Sequence, residues 1–129
     1  MDDNFGSAIG AICDGDIVQL EKCLKQSADI LKVRRRGRSL LTFAVLNDNV
    51  RVAVLLNKRG LSFSEHDANG ETALHWAVHA DARKCVKHIL SLPRKDDETA
   101  WILLADRHHI TPFHLAAKLG RAKILKVIS

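Results

Sequence analysis

The 129 residues suffice for about one domain of ordinary size, with one core rather than two independent ones. Apolar residues make up 47%, charged residues 27%, and there are only 2 prolines, which indicates a globular, helix-rich chain and argues against disorder. The formal net charge of +5 raises the question of nucleic-acid binding. Four arginines are clustered within residues 34–38, however, and an acidic run follows at residues 96–98.

The three cysteines, Cys13, Cys23 and Cys85, are odd in number and lie in apolar segments, a pattern typical of free thiols in a reducing compartment. The first residues show neither the basic region nor the apolar region of a secretory leader. No apolar run approaches the roughly 18 residues of a membrane span. We therefore expect an intracellular protein, cytoplasmic or nuclear, without a membrane span.

The first segment, residues 4–36, predicts a helix pair whose second helix follows Gly15 and ends near residues 27–30. The polar start at residues 2–4 is typical of an N-terminal cap. The second segment, residues 37–69, begins with the motif GRSLLTFA. Its second helix is predicted from apolar residues at three- and four-residue spacing, namely Val50, Ala53, Val54 and Leu56.

The third segment, residues 70–109, begins with the motif GETALHWA and contains an extra stretch within residues 91–106. There, the acids at residues 96–98 and the apolar patch that follows predict the start of a helix. We expect Trp101 to fold back onto the protein, with presentation to a partner as the alternative. Whether the extra stretch binds or only packs stays open.

The fourth segment, residues 110–129, contains TPFHLA and then an apolar second helix. Since that helix stops at Ser129 without a polar cap, we expect the chain to be the N-terminal part of a longer protein with further repeats.

Successive motif copies are offset by 33 and 39 residues, and their TALHWA and TPFHLA cores resemble the T-P-L-H-x-A signature of ankyrin repeats. The resemblance covers nearly the whole chain and implies one all-α domain over residues 1–129. This domain would be an ankyrin-repeat solenoid of helix-turn-helix units with short β-turn fingers, about three full repeats plus a truncated fourth. We expect the Thr of each unit to cap the first helix. Stacking of neighbouring units would supply the core.

The resemblance further implies a protein–protein interaction module, a scaffold or adaptor, rather than an enzyme. Ankyrin-family proteins generally bind partners through the fingers and the concave face of the first helices. The register places six partner-binding candidates on that face: Phe43, Leu46, Trp76, His79, Leu115 and Leu119. An apolar patch with an aromatic anchor is the usual energetic centre of an interface, so we expect an amphipathic partner segment there. The alternative is that Trp76 and Leu115 pack between units.

The fingers carry charges that would orient an acidic partner segment. The candidates are Arg34, Arg35, Arg36, Arg38, Arg107 and His108. The alternative is that these are ordinary solvated turn residues. The basic run also suggests nuclear import or nucleic-acid binding, but no stacking aromatic residues accompany it, and we treat this as the lesser alternative.

No motif for catalysis, for a metal or for a cofactor is visible, so we expect none of the three. His75 and His79 have the i, i+4 spacing of a zinc pair, but Trp76 replaces the Glu of H-E-x-x-H, and no cluster of Cys or carboxylates accompanies them. The signature histidines, His75 and His114, are instead expected to tie adjacent turns together by hydrogen bonds.

Residues 41–50, together with a first unit that ends SADIL at residues 27–31, are similar to the opening repeats of inversin-like scaffold proteins. This resemblance implies, as an alternative, an adaptor of a kinase-containing, cilium-associated complex.

Overall fold

A computed structural model describes residues 4–93 and 100–128 and shows eight α-helices in this part of the chain. Their bounds are α1 Asn4–Asp14, α2 Ile17–Gln26, α3 Leu40–Leu46, α4 Val50–Lys58, α5 Ala73–His79, α6 Arg83–Ser91, α7 Pro112–Lys118 and α8 Ala122–Ile128. Two short 3₁₀ helices lie at Ala28–Lys32 and Trp101–Leu103. Across these residues, no helix is both long enough and apolar enough to cross a membrane.

Each odd-numbered helix packs against the even-numbered helix that follows it, and the four pairs stack side by side. The first helices α1, α3, α5 and α7 touch one another in chain order and form one layer of the stack. The even-numbered helices form the second layer, in which α6 contacts both α4 and α8. The predicted all-α repeat architecture is confirmed.

Small residues let the first helices approach closely. Ala44, Ala77 and Ala116 recur at the same position of the motif and are completely buried. Around them lies one continuous core from Phe5 to Ile124, in which the motif residues Leu41 and Leu74 are also fully enclosed. Full burial of a leucine contributes about 2 kcal/mol, so the stacked motif positions are a main source of stability.

The turn between the two helices of every pair uses the same left-handed backbone conformation. The residues concerned have φ of 71°, 53°, 54° and 68°, and they are Gly15, Asp48, Asp81 and Gly120. Asp is one of the few residue types besides Gly that adopts this conformation readily. The Asp48 carboxylate also accepts a hydrogen bond of 2.9 Å from the Cys85 amide, which links the second pair to the third.

The predicted helix caps are confirmed in two units and wrong in one. Thr72 and Thr111 are the N-caps of α5 and α7, but α3 is capped by Ser39. Thr42 lies three residues further on, where its hydroxyl accepts a hydrogen bond of 3.2 Å from the Ser39 amide. Thr42 therefore occupies the position that His75 holds in the next unit.

The extra stretch packs against the solenoid through Trp101. Its side chain is 7% exposed, and its indole N–H donates to the carbonyl of Leu92 at 3.1 Å. The prediction that Trp101 folds back is confirmed. The predicted helix start at residues 96–98 lies outside the described residues, and residues 101–103 form only a single 3₁₀ turn.

Candidate functional site

Three hairpin turns project between successive helix pairs, and we call them the first finger (residues 35–38), the second finger (67–71) and the third finger (106–110). In the first finger, Arg35 and Arg38 exchange backbone hydrogen bonds of 2.9 and 3.0 Å. Arg36 and Gly37 form the tip with φ of 57° and 78°. In the second finger, the Asp67 amide donates to the Glu71 carbonyl at 3.0 Å.

The fingers are hydrogen-bonded to one another and form a continuous row. The Ala68 amide donates to the Arg36 carbonyl at 3.2 Å, and the Arg107 amide donates to the Asn69 carbonyl at 2.9 Å. Contact is close enough that a Cβ on Gly37 would lie 2.4 Å from the Ala68 nitrogen. Equivalent tip positions are therefore held at fixed relative places along the row.

An aspartate organises each of the last two fingers, a role that the sequence analysis missed. One oxygen of Asp67 accepts hydrogen bonds from the amides of Asn69 (2.9 Å) and Glu71 (3.0 Å). Asp106 accepts in the same way from the amides two and four residues later, at 2.8 and 3.0 Å. The sequence did contain a signal for this role, because an Asp lies three residues before the left-handed residue in both fingers, Gly70 and His109.

The hydrogen bonds in the third finger also affect the ionisation of Asp106. Desolvation by itself would raise the pKa of this carboxyl group. The amide hydrogen bonds from Ile110 and His108, with smaller contributions from nearby His75 and His108, outweigh desolvation and hold the pKa below its ordinary value.

The prediction of Trp76 as an exposed interface anchor is wrong. The side chain is 1% exposed, and its indole N–H donates to the second oxygen of Asp67 at 3.1 Å. Leu115 is also buried, at 6% exposure. Both side chains fill the space between helix pairs, which is the alternative left open by the sequence.

The remaining concave candidates do not join into an apolar stripe. Phe43 is half-buried and packs edge-to-face on Phe5 with ring centroids 6.2 Å apart, and Leu46 is half-buried against the core. Leu119 is 39% exposed. His79 is exposed, and its Nε2 lies 2.6 Å from a carboxylate oxygen of Glu71.

The exposed side chains of the first helices and their ends are mixed: Asn47, His79 and Lys118 are polar, whereas Phe113 and Leu119 are apolar. Within the described residues, these helices therefore do not present the continuous apolar stripe that was expected.

Three of the four clustered arginines are engaged by the chain itself. Arg34 forms an ion pair of 2.8 Å with Glu65, and the Arg35 guanidinium lies 4.6 Å from the centroid of the Phe5 ring. The Nε of Arg38 lies 3.7 Å from the buried Asp67 carboxylate.

Arg36 at the tip of the first finger and Arg107 in the third finger are exposed. Among the residues described, no hydrogen bond or ion pair engages their guanidinium groups. His108, the last finger candidate, is exposed beside Arg107. The positive charge available to a partner is therefore concentrated at Arg36, at the exposed part of Arg38 and at Arg107.

The signature histidine His75 ties the third unit to the fourth, as predicted. Its Nδ1 accepts the Thr72 amide at 3.1 Å, so the proton lies on Nε2, which donates to the Ile110 carbonyl at 2.8 Å. His114 bonds through Nδ1 to Thr111 at 3.0 Å, a contact within its own turn rather than between turns. In the described part of the chain, no three potential metal ligands of His, Cys, Asp or Glu converge.

A family model described as ankyrin repeats (three copies) matches residues 9–100. The matched range starts within α1, contains α2 to α6 with the first and second fingers, and ends just before Trp101.

Proposed function

Since the chain belongs to the ankyrin-repeat family, whose repeats are generally protein–protein interaction modules and typically non-enzymatic, we propose that its finger row and concave face bind an acidic segment of a partner protein. The observation that carries this proposal is the position of the exposed guanidinium groups. Arg36 and Arg38 lie at one end of the row and Arg107 at the other. Hydrogen bonds between the fingers fix the distance between these ends.

The charge on the row favours an acidic partner segment over an apolar one. The burial of Trp76 and Leu115 removes the two central members of the expected apolar stripe. Exposed charges at an interface rim mainly accelerate association and set orientation. We infer that the finger charges select and align the partner, while Leu119 and the half-buried Leu46 add apolar contacts on the concave face.

A matched pair of charge-reversed variants tests this proposal. Arg36→Glu with Arg107→Glu reverses two finger charges, and Lys25→Glu with Lys87→Glu reverses two exposed charges on α2 and α6. At about 1 kcal/mol for each reversed rim charge, or about 2 kcal/mol in all, the finger variant should bind a partner roughly thirtyfold less tightly. Quantitative mass spectrometry of proteins captured from cell extract measures the difference. Equal capture by both variants would contradict the proposal.

The same variants distinguish a protein partner from nucleic acid. Binding of a random-sequence duplex, with a steep salt dependence and loss only in the finger variant, would favour the nucleic-acid alternative. We expect no such binding, because Arg34 pairs with Glu65 and the Arg35 guanidinium lies over Phe5, which leaves too few exposed guanidinium groups for the many phosphate contacts of duplex binding.

We place this binding inside the cell, since all three cysteines are free thiols. A scaffold role in an inversin-like, kinase-containing complex at the cilium stays a prediction from residues 41–50 and needs an experiment of its own. Co-localisation of the full-length protein with a ciliary marker would provide one.

A further inference from the structure

We propose that the cleft between the first and second fingers binds one carboxylate side chain of the partner's acidic segment. Arg36, Arg38, Ala68 and Asn69 line this cleft, which has a volume of about 360 Å³. The proposal rests on the proposed function for the source of the carboxylate, but the chemistry of the cleft stands on the residues that line it.

Arg38 is held in place from below by a buried carboxylate. The Asp67 side chain is 1% exposed and faces the Nε of Arg38 at 3.7 Å. The Arg38 side chain is 41% exposed and lines the cleft, so part of it remains accessible to a ligand. A guanidinium group that is already oriented loses little conformational entropy when it binds a carboxylate, and its planar array of N–H donors suits two parallel hydrogen bonds.

Arg36 is fixed to the rim of the same cleft by its backbone. Its carbonyl accepts the Ala68 amide, and its left-handed conformation in the turn sets the direction in which the side chain leaves the chain. Asn69 adds a side-chain amide on the opposite wall. The two guanidinium groups carry only donors, and the Asn69 amide can add another, so the side chains that line the cleft suit an anion better than a cation.

The local charge selects a carboxylate rather than a phosphoryl group. Two guanidinium groups and the buried Asp67 carboxylate give this region a net charge of about +1, which one carboxylate neutralises. A phosphoryl group carries about −1.5 to −2 at neutral pH and would leave an excess of negative charge near Asp67.

The chain offers this arrangement only once among its described fingers. In the repeat register, the position of Arg38 is occupied by Glu71 in the second finger and by Ile110 in the third. The cleft between the second and third fingers therefore lacks the oriented guanidinium group. A carboxylate in the first cleft would set the register of the whole acidic segment along the row.

Titration of the isotope-labelled full chain with capped hexaglutamate, followed by NMR, tests the cleft. We expect the largest shifts at the Arg38 Nε–H and at the backbone amides of Ala68 and Asn69, and no such shifts with hexaglutamine. Arg38→Gln should weaken hexaglutamate binding roughly fivefold or more, the effect of losing about 1 kcal/mol. Arg35→Gln is the matched control: it removes the same charge from the same finger, but its guanidinium lies over Phe5, and we expect less than about a twofold change.

Three results would overturn the inference: equal shifts with hexaglutamine, equal losses in the two variants, or shifts confined to the third finger. If a Gly/Ser hexapeptide with one phosphoserine shifts the same signals and binds more tightly than hexaglutamate, the choice of a carboxylate would also be overturned.

The proposed function can fail separately. If hexaglutamate occupies the cleft but the finger variant still captures partners normally, the site stands and the proposed function falls. If the finger variant loses its partners but hexaglutamate causes no shifts in the cleft, the proposed function stands and the carboxylate site falls.

Discussion

Replacement of Gly37 by alanine tests whether direct contact between fingers stabilises the protein. Gly37 has φ of 78°, and a Cβ there would lie 2.4 Å from the Ala68 nitrogen and 2.8 Å from the Asp67 Cα. Both neighbours are backbone atoms of the second finger and cannot rotate away as a side chain can. The first finger must therefore move, which lengthens or breaks the hydrogen bond from the Ala68 amide to the Arg36 carbonyl.

Two separate costs determine the size of the effect. A non-glycine residue in the left-handed conformation costs about 1 kcal/mol, and overpacking of a close contact costs about 2 kcal/mol. Gly120 offers a control, because its φ is 68° but no atom lies within 4 Å of its hypothetical Cβ. We expect Gly37→Ala to lower the free energy of unfolding by about 3 kcal/mol, the sum of both costs. Gly120→Ala should lower it by about 1 kcal/mol, the conformational cost alone.

Urea unfolding of the two variants and the wild type, followed by circular dichroism, measures both values. The slope of free energy against urea should stay unchanged, so that the midpoint reports stability alone. Equal destabilisation by the two substitutions would refute the reasoning, because it would show that the fingers do not press on each other.

Two further predictions concern ionisation. Burial, followed in importance by the charge and hydrogen bonding of Asp48, raises the pKa of the Cys85 thiol from 9.0 to about 12. The unfolded thiol ionises at a lower pH than the folded one, so the free energy of unfolding of the wild type should fall as pH rises from about 9 towards 12. Cys85→Ala keeps the backbone amide that bonds to Asp48 but removes the thiol, so its stability should fall less over this range. Urea midpoints measured at several pH values test this prediction. The pKa of Asp106 is lowered from 3.8, so its charge stabilises the fold above that value, and this contribution is lost as pH falls through the lower, folded-state pKa. Asp106→Asn should therefore lose less stability than the wild type as pH falls below about 4. The same pH dependence in both proteins would contradict the claim that the ionised Asp106 stabilises the third finger.

Much of the architecture could be predicted because the repeat imposes the same physical requirement several times. A small residue at Ala44, Ala77 and Ala116 is needed wherever two first helices touch, and the same left-handed turn recurs at Asp48 and Asp81. Recurrence of the motif in register was enough to predict stacked helix pairs, whereas the left-handed turns at Asp48 and Asp81 were found only in the structure. It was harder to predict which residue of a unit caps its first helix. Thr42 resembles a helix cap by residue type, but the structure places it at the position of His75 and gives the cap to Ser39.

The surface was predicted less well, because periodicity identifies the face of a helix but not how deeply a neighbouring unit covers it. Trp76 and Leu119 were both assigned to the concave stripe, yet one is 1% exposed and the other 39%. The arginine run shows the same limit of sequence reasoning. Its four side chains look equivalent in a list of residues, but Glu65, Phe5 and Asp67 engage three of them in different ways.

If the proposed carboxylate site exists, Trp76 would affect partner binding through its contact with Asp67 rather than through its own surface. Its indole N–H is one of three N–H groups that donate to the Asp67 carboxylate, the group that orients Arg38 at the cleft. Trp76→Ala would remove this donor, open a cavity beside the second finger and disturb the orientation of Arg38. Loss of affinity in that variant would therefore not show that a partner touches Trp76. Arg38→Gln separates the two explanations, because it changes the cleft while leaving Trp76 and its hydrogen bond to Asp67 in place.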